Sequence, residues 1–364
     1  MVRSIGLEEA GMVCGVTRRG FLRLSAGVAG AAVAGPRLFA SESGETAGRS
    51  VVSLVHGENR RRNVAEALAL IEDQVLPVLR QKKYVLVKPN LTSLVQPLAV
   101  TDPDTIHGII DFLEPRWRGP VVVAEASASN TLEGYEHFGY PKIAPEHKGR
   151  EVSLVDLNLE GRYETLQILD QHLHLQPVRL AARLFDPDAY VICSAALKTH
   201  NAVVATLSVK NMALGAPLHS TPKDGGRWSD KRCYHVGVRQ MHYNIFLTAQ
   251  RMRPFWGATV VDGFEGMEGN GPNSGLPVPS RVAVASIDYV AADRVGIEAM
   301  GLDADWVGYL TYCGKAGVGR YDLGRIDVRG ARLADVRRTY QLHRDIERML
   351  EWMGPMRDLP PNLG

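Results

Sequence analysis

Ala189-Tyr190-Val191-Ile192-Cys193, followed by Leu197-Lys198-Thr199-His200-Asn201-Ala202-Val203-Val204-Ala205-Thr206-Leu207-Ser208-Val209-Lys210-Asn211-Met212-Ala213-Leu214-Gly215, is the stretch around which the chain is organised. The first part is a continuous apolar run. That is the pattern of a parallel strand covered on both faces. The second part sets Lys198, Thr199, His200, Asn201, Ser208, Lys210 and Asn211 close behind it. Small polar and cationic side chains this dense beside a buried strand suit an anionic or metal-bound ligand.

The same strand type recurs upstream. Tyr84-Val85-Leu86-Val87 runs into Lys88-Pro89-Asn90, and Val121-Val122-Val123-Ala124 runs into Glu125-Ala126-Ser127. Between them Thr101-Asp102-Pro103 opens a helix, with a capping side chain ahead of a first-turn proline. Before them Val51–Val55 reads as a strand. Asn63–Gln81 reads as one amphipathic helix whose buried face is Val64, Leu68, Ile71, Val75 and Leu79. Repeated strand–helix–strand steps predict an α/β fold with a mostly parallel, doubly wound sheet. Residues 160–180 alternate instead and predict a small antiparallel insertion.

Downstream, His219–Lys231 is polar and Gly-rich and reads as a loop or lid. A helix is expected over Val236–Met252, and a strand over Ala258–Asp262 with a carboxylate at its C-terminal end. The Gly263–Gly275 segment reads as a loop. It lacks the G-K-[ST] of a phosphate-binding loop and the setting of a dinucleotide fingerprint. Val282–Ala285 is a strand and Asp288 starts a helix. A helix at 305–315, a strand at Ile326–Val328 and a helix at 335–353 complete the chain.

The first forty residues stand apart. They hold five Arg against two Glu, which leaves the remainder at −1 although the whole chain is +2. No long basic stripe remains, which argues against a nucleic-acid partner. Thr17-Arg18-Arg19-Gly20-Phe21-Leu22-Arg23 has the twin-arginine pattern and precedes a short Ala/Gly-rich apolar run ending in cleavage sites after Ala34 or Ala40. The run falls short of the ~20 apolar residues of a bilayer span. The expected organisation is a twin-arginine signal peptide over 1–40, a linker over 41–50, an α/β domain over 51–330 and a helical tail over 331–364. Export through the twin-arginine translocase would place the mature protein in the periplasm or outside the cell, with no membrane span. Cys193, Cys233 and Cys313 are widely spaced, with no C-x-x-C, so a cluster of this chain's own is not expected. One disulfide plus a free thiol, or three buried thiols, both fit.

If the four buried strands share a sheet, Lys88/Asn90, Glu125/Ser127, Lys198/His200 and Asp262 converge on its C-terminal edge, where open α/β sheets bind ligands. Lys198 and His200 are the catalytic candidates, as polarising cation and acid–base group. Lys88, Asn90, Lys210, Asn211, Asn270 and Gly271 are the candidates for holding a small anionic substrate. Glu125 and Asp262 are the candidates for a divalent metal ion, with His200, His219 and His235 as further ligand types.

Together, Val87-Lys88-Pro89-Asn90, Leu197-Lys198-Thr199-His200, Ser208-Val209-Lys210-Asn211 with Gly215, Asp262-Gly263 through Glu268-Gly269-Asn270-Gly271-Pro272, and Ser286-Ile287-Asp288 with Asp293 and Gly301 resemble the domain of unknown function 362 family over about residues 51–315. The resemblance implies an α/β protein. Some members are fused to ferredoxin-like cluster modules, some carry twin-arginine leaders, and iron–sulfur binding is associated with the family. The Cys-rich module is absent from this sequence, so the resemblance points to a separate ferredoxin-like redox partner. Three function classes follow: an exported enzyme, a periplasmic binding or cofactor-carrier protein, and a redox protein working with an iron–sulfur partner.

Overall fold

The computed structural model describes residues 48–221 and 223–355. The twin-arginine segment and most of the linker lie outside them. The main sheet is built from β1 (Ser50–His56), β2 (Tyr84–Lys88), β3 (Val121–Glu125), β4 (Val152–Asp156), β7 (Ala189–His200), β9 (Trp256–Glu268), β11 (Val282–Ser286) and β12 (Ile326–Gly330). The hairpin strands β5 (Tyr163–Leu169) and β6 (Leu175–Ala181) form a separate antiparallel pair, as the alternation over 160–180 predicts. Short strands β8 (Val204–Thr206) and β10 (Leu276–Val278) fold back on β7 and β9.

Across the sheet the order is β12-β1-β11-β9-β7-β2-β3-β4. Every neighbouring pair is parallel except the two that β11 makes, so β11 alone runs against the rest. The fold is α/β, with a mostly parallel sheet covered on both faces. Helices α1 (Arg60–Ala69), α2 (Glu72–Leu79) and α3 (Pro103–Leu113) cover one face, packing Val64, Leu68, Ile71, Ile106 and Ile109 on Val85, Val87, Val121 and Val123. Helices α4 (Ser208–Gly215), α5 (Val238–Met252), α6 (Tyr289–Ala299) and α7 (Gly308–Lys315) cover the other, over Leu86, Ala124, Val191, Cys193 and Ala195.

Three expectations change. The helix expected over Asn63–Gln81 breaks at Leu70–Ile71, where Ile71 leaves helical geometry (φ −122°, ψ 17°). Its apolar face survives the break, because Val64, Leu68, Ile71, Val75 and Leu79 are all fully buried. The strand expected to end at Cys193 continues to His200, and the strand expected to end at Asp262 continues to Glu268. Pairing of Lys198 with Met267, and of β10 with the end of β9, holds the glycine-containing segment extended. Asp262 therefore sits mid-strand. The expected helix over 335–353 is two short helices, Leu333–Val336 and Ile346–Leu350, separated by irregular chain.

The topology locates a crevice. From β2 the chain moves outward through β3 to β4, then returns to β7 on the other side of β2. The strand order thus reverses between β2 and β7. Beyond the C-terminal ends of two such strands, an open α/β sheet leaves room for a ligand. Helix α4 is locked over this point by Asp293 of α6. The buried Asp293 carboxylate accepts the Ser208 and Val209 N–H groups, both at 2.9 Å, and the Ser208 hydroxyl. Those donors are two of the orphans at a helix start. Asp293→Ala leaves them buried without a partner, and should cost about 2–5 kcal/mol of unfolding free energy, with part regained in Asp293→Asn. Urea denaturation of the two variants measures this; a loss below half a kilocalorie (~0.5 kcal/mol) would show that α4 is held by other means.

Candidate functional site

At the end of β2 the Lys88 ammonium is fully buried and all three of its donors are used. It gives hydrogen bonds to Glu125 Oε2 at 2.7 Å, Asn211 Oδ1 at 3.0 Å and the Pro89 carbonyl at 2.9 Å. Asn211 in turn donates to the Ser194 carbonyl at 3.1 Å. Gly215 closes over this pair. A Cβ there would lie 2.1 Å from Lys88 Nζ, which explains why the helix ends in glycine at this point.

Three more amines gather round. Lys198 donates to the Ala99 carbonyl at 3.0 Å and to Thr92 Oγ1 at 3.3 Å. Lys231 donates to the Leu214 carbonyl at 2.7 Å. Lys210, on α4 and mostly buried, has no hydrogen-bond or ion-pair partner among the described residues. Burial pushes the Lys210 and Lys231 amines down to about 7. The Lys88 ammonium adds to the effect on Lys210, whereas Glu125 opposes it at Lys231. Burial, then repulsion from Lys210, lowers Lys198 well below the ordinary lysine range. Glu125 is the carboxylate bonded to this group; burial pushes its carboxyl up, while Lys88 and the Ala126 N–H pull it back.

Two imidazoles complete the cluster, with different proton placements. The Ala202 N–H donates to His200 Nδ1 at 3.0 Å, so in the neutral ring the proton sits on Nε2. His235 Nδ1 faces the Lys231 carbonyl at 3.0 Å, so there the proton sits on Nδ1 and Nε2 keeps its lone pair. Burial and the nearby Lys210 lower both rings, which favours these neutral forms. His200 thus offers an N–H donor and His235 a base. Lys231 and His235 also line a cleft of about 780 Å³ bounded by His219, Arg227, Trp228 and Ala128. The segment expected to be a lid forms its wall. His219 pairs with Ser229 across a bridge, Arg179 grips Asp230 with two hydrogen bonds of 2.9 Å, and its guanidinium lies 3.4 Å from the centre of the Trp228 ring.

The structure brings Lys88, Lys198, His200, Lys210 and Asn211 to this one edge, with Glu125 among them. The other candidates lie elsewhere or are engaged. Asn90 ties the 97–101 turn to β2, its side-chain amide donating to the Ala99 carbonyl at 2.5 Å and its backbone N–H donating to Thr101 Oγ1 at 2.9 Å. Asn270 is exposed and accepts from the Arg344 N–H at 3.3 Å in the tail. Gly271 packs on Thr199, where a Cβ would lie 2.2 Å from the carbonyl oxygen. Asp262 is paired with Arg60 at 3.1 Å and Thr105 Oγ1 at 2.7 Å on the face of α1 and α3. Two strands separate β9 from β3, so Asp262 and Glu125 stand about 14 Å apart, too far to share one ion. Both His219 nitrogens face carbonyls, of Ser220 at 2.8 Å and Ser127 at 2.7 Å. Lys231 was missed by sequence reasoning; it lies sixteen positions after Gly215 in a polar loop and carries no local signal.

Among the described residues the ligand atoms of Asp111, Glu114 and His147 lie within 4.8 Å of one another. Asp111 and Glu114 sit at the C-terminal end of α3, and His147 caps the short helix Ile143–Glu146 ahead of β4. Arg61 already engages both Asp111 oxygens at 2.5 and 2.7 Å, which disfavours a cation there. Cys193, Cys233 and Cys313 are buried on separate elements, and no disulfide joins any two of them. Among the described residues none of the three joins a group of ligand atoms close enough to hold a metal, whereas a cluster needs several convergent thiolates. These residues do not fit a cluster. No helix among the described residues is long and apolar enough to cross a membrane.

A thylakoid-associated protein of Synechocystis sp. is 27% identical over 229 residues, which cover 60% of this chain and 63% of that protein. A solved structure from Thermotoga maritima aligns with a TM-score of 0.39 and 13% identity, over 61% of this chain and 55% of the other. The model of the domain of unknown function DUF362 matches residues 85–298, which span β2 to α6 and hold every member of the cluster. The chain belongs to the DUF362 family.

Proposed function

We propose that this protein is an enzyme that binds a small polyanionic molecule, a phosphate or carboxylate, at the switch point between β2 and β7. The observation that carries the reading is the charge count of the cluster. Four buried amines and two neutral imidazoles gather at one edge of the sheet, with Lys231 and His235 lining the cleft, and Glu125 alone among the described carboxylates is bonded to them. Burying like charges together is costly unless something offsets them. Lys210 and Lys231 lose their protons near neutrality for that reason. A ligand anion reverses the balance, because it favours the ammonium forms and replaces the missing counter-charge. Lys88 is saturated by its three partners and acts by shaping the crevice. Lys198 and Lys231 supply the charge that holds the anion, Lys210 adds an amine with no partner among the described residues, and His200 and His235 offer a hydrogen-bond donor and a proton acceptor. The twin-arginine pattern supports export of the folded chain to the periplasm as part of the same proposal.

Two outcomes follow. Inorganic phosphate and citrate should raise the melting temperature of the protein. Lys231→Ala should weaken phosphate binding about 10–100-fold, the scale of one charge-assisted hydrogen bond of ~1.5–3 kcal/mol. Undiminished affinity in Lys198→Ala, His200→Ala and Lys231→Ala together would refute the site. Second, binding should take up protons above pH 7. Lys231 is already charged below about 7 and takes up a proton from solvent on binding above it. Affinity should therefore be highest below pH 7 and fall as pH rises. Calorimetry in buffers of different ionisation enthalpy reads the protons directly, and release instead of uptake would contradict the assignment.

A further inference from the structure

We propose that Lys210 is an amine nucleophile that forms a Schiff base with a small carbonyl compound bearing an anionic group, such as a 2-oxo acid. This rests on the anion site above and gives its ligand a second functional group. The four lysines are not equivalent. Lys88 has three bonded partners, Lys198 two and Lys231 one, whereas Lys210 has none among the described residues. An amine meant only to brace the fold would be held by acceptors, as the other three are. Lys210 instead directly precedes Asn211, whose side chain accepts from Lys88, so it stands next to an ammonium clamped by Glu125 and Asn211 and feels its charge. A desolvated amine next to a second cation is the arrangement that frees a lysine lone pair at neutral pH. The depression of Lys210 to about 7 agrees with that geometry.

The imidazoles have the proton placements that the reaction needs. The neutral Lys210 amine attacks the carbonyl carbon, forming a C–N bond as the C=O π pair moves to oxygen. His235, through its free Nε2, takes a proton from the resulting nitrogen cation. His200, through Nε2–H, hydrogen-bonds the oxygen, which takes its proton from the His235 imidazolium. The carbinolamine then expels its hydroxyl as water, on one proton taken up from solvent through His235. The nitrogen lone pair forms the C=N bond and leaves a protonated imine. No oxidant or reductant takes part. Lys198 and Lys231 hold the anionic group and place the carbonyl against the amine.

Glyoxylate, an aldehyde carrying a carboxylate, is a direct probe. The full chain is incubated with glyoxylate and sodium cyanoborohydride, and the reduced adduct is located by peptide mass mapping. One adduct on Lys210 is expected. Its rate should rise about tenfold per pH unit until pH ~7 and then level off, following the free-amine fraction. Excess phosphate should suppress it. Lys210→Arg keeps the charge but not the nucleophile, so it should bind phosphate and lose the adduct. Adducts scattered over surface lysines with Lys210 unmodified, in a protein that still binds phosphate, would overturn the Schiff-base proposal alone. Loss of phosphate binding in the unaltered protein would overturn the anion site beneath it.

Discussion

The buried ion pair between Lys88 and Glu125 is the constraint from which the site follows. The two residues end adjacent parallel strands, β2 and β3, and both are almost entirely withdrawn from water. Removing one partner from such a pair strands a charge and typically costs ~3–5 kcal/mol, so neither can vary alone. Lys88 also reaches across to Asn211 and so joins the sheet to α4. Gly215 is required where α4 passes over the ammonium. Asp293 secures the opposite end of the same helix. A helix fastened at both ends carries Lys210 into the crevice with little freedom to retreat. The sheet, the helix and the charge arrangement are thus one mechanical unit.

That unit explains why the lysines behave as they do. An ammonium near a protein surface keeps its charge because water solvates it. At this edge of the sheet Lys198, Lys210 and Lys231 lose that water, and Glu125, the one carboxylate bonded to the cluster among the described residues, is already committed to Lys88. Desolvation and mutual repulsion then act in the same direction. Hydrophobic residues of similar volume would fill the space at lower electrostatic cost, so retention of the amines is more readily explained by binding than by stability. The clamp of Arg179 on Asp230 and Trp228 adds rigidity on the cleft side, and preorganised donors lose less entropy when a ligand arrives.

Much of this was legible in the sequence because it is local. The buried face of α1 and α2 follows a three- and four-residue period, and the inner strands are unbroken apolar runs. The polar residues after Val87 and Leu197 are strand-end features, and the sheet does bring Lys88, Lys198 and His200 together. What was not legible depends on pairing over long separations. Asp262 was expected at a strand end because Gly263 follows it, yet β7 and β10 hold the next residues extended. Its partner Arg60 is some two hundred positions away, and no spacing rule links them. Glu125 read as a metal ligand in isolation, and only its distance to Lys88 reveals a counter-ion. Lys231 enters the site through a fold-back of the loop that has no periodicity at all.

The divergence of His200 and His235 shows how backbone geometry decides chemistry that residue type leaves open. Both imidazoles are lowered by the same causes, desolvation and then Lys210, so charge does not tell them apart, although His200 is buried and His235 reaches the surface. The difference comes from one hydrogen bond each. An N–H two residues ahead occupies His200 Nδ1, whereas a carbonyl four residues behind occupies His235 Nδ1. The proton is thereby fixed on opposite ring positions, and the outward nitrogen donates in one case and accepts in the other. A crevice needing only positive charge would gain nothing from this distinction. A reaction that moves a proton on and off one centre uses both, and for that reason the pair favours catalysis over passive binding at this edge of the sheet.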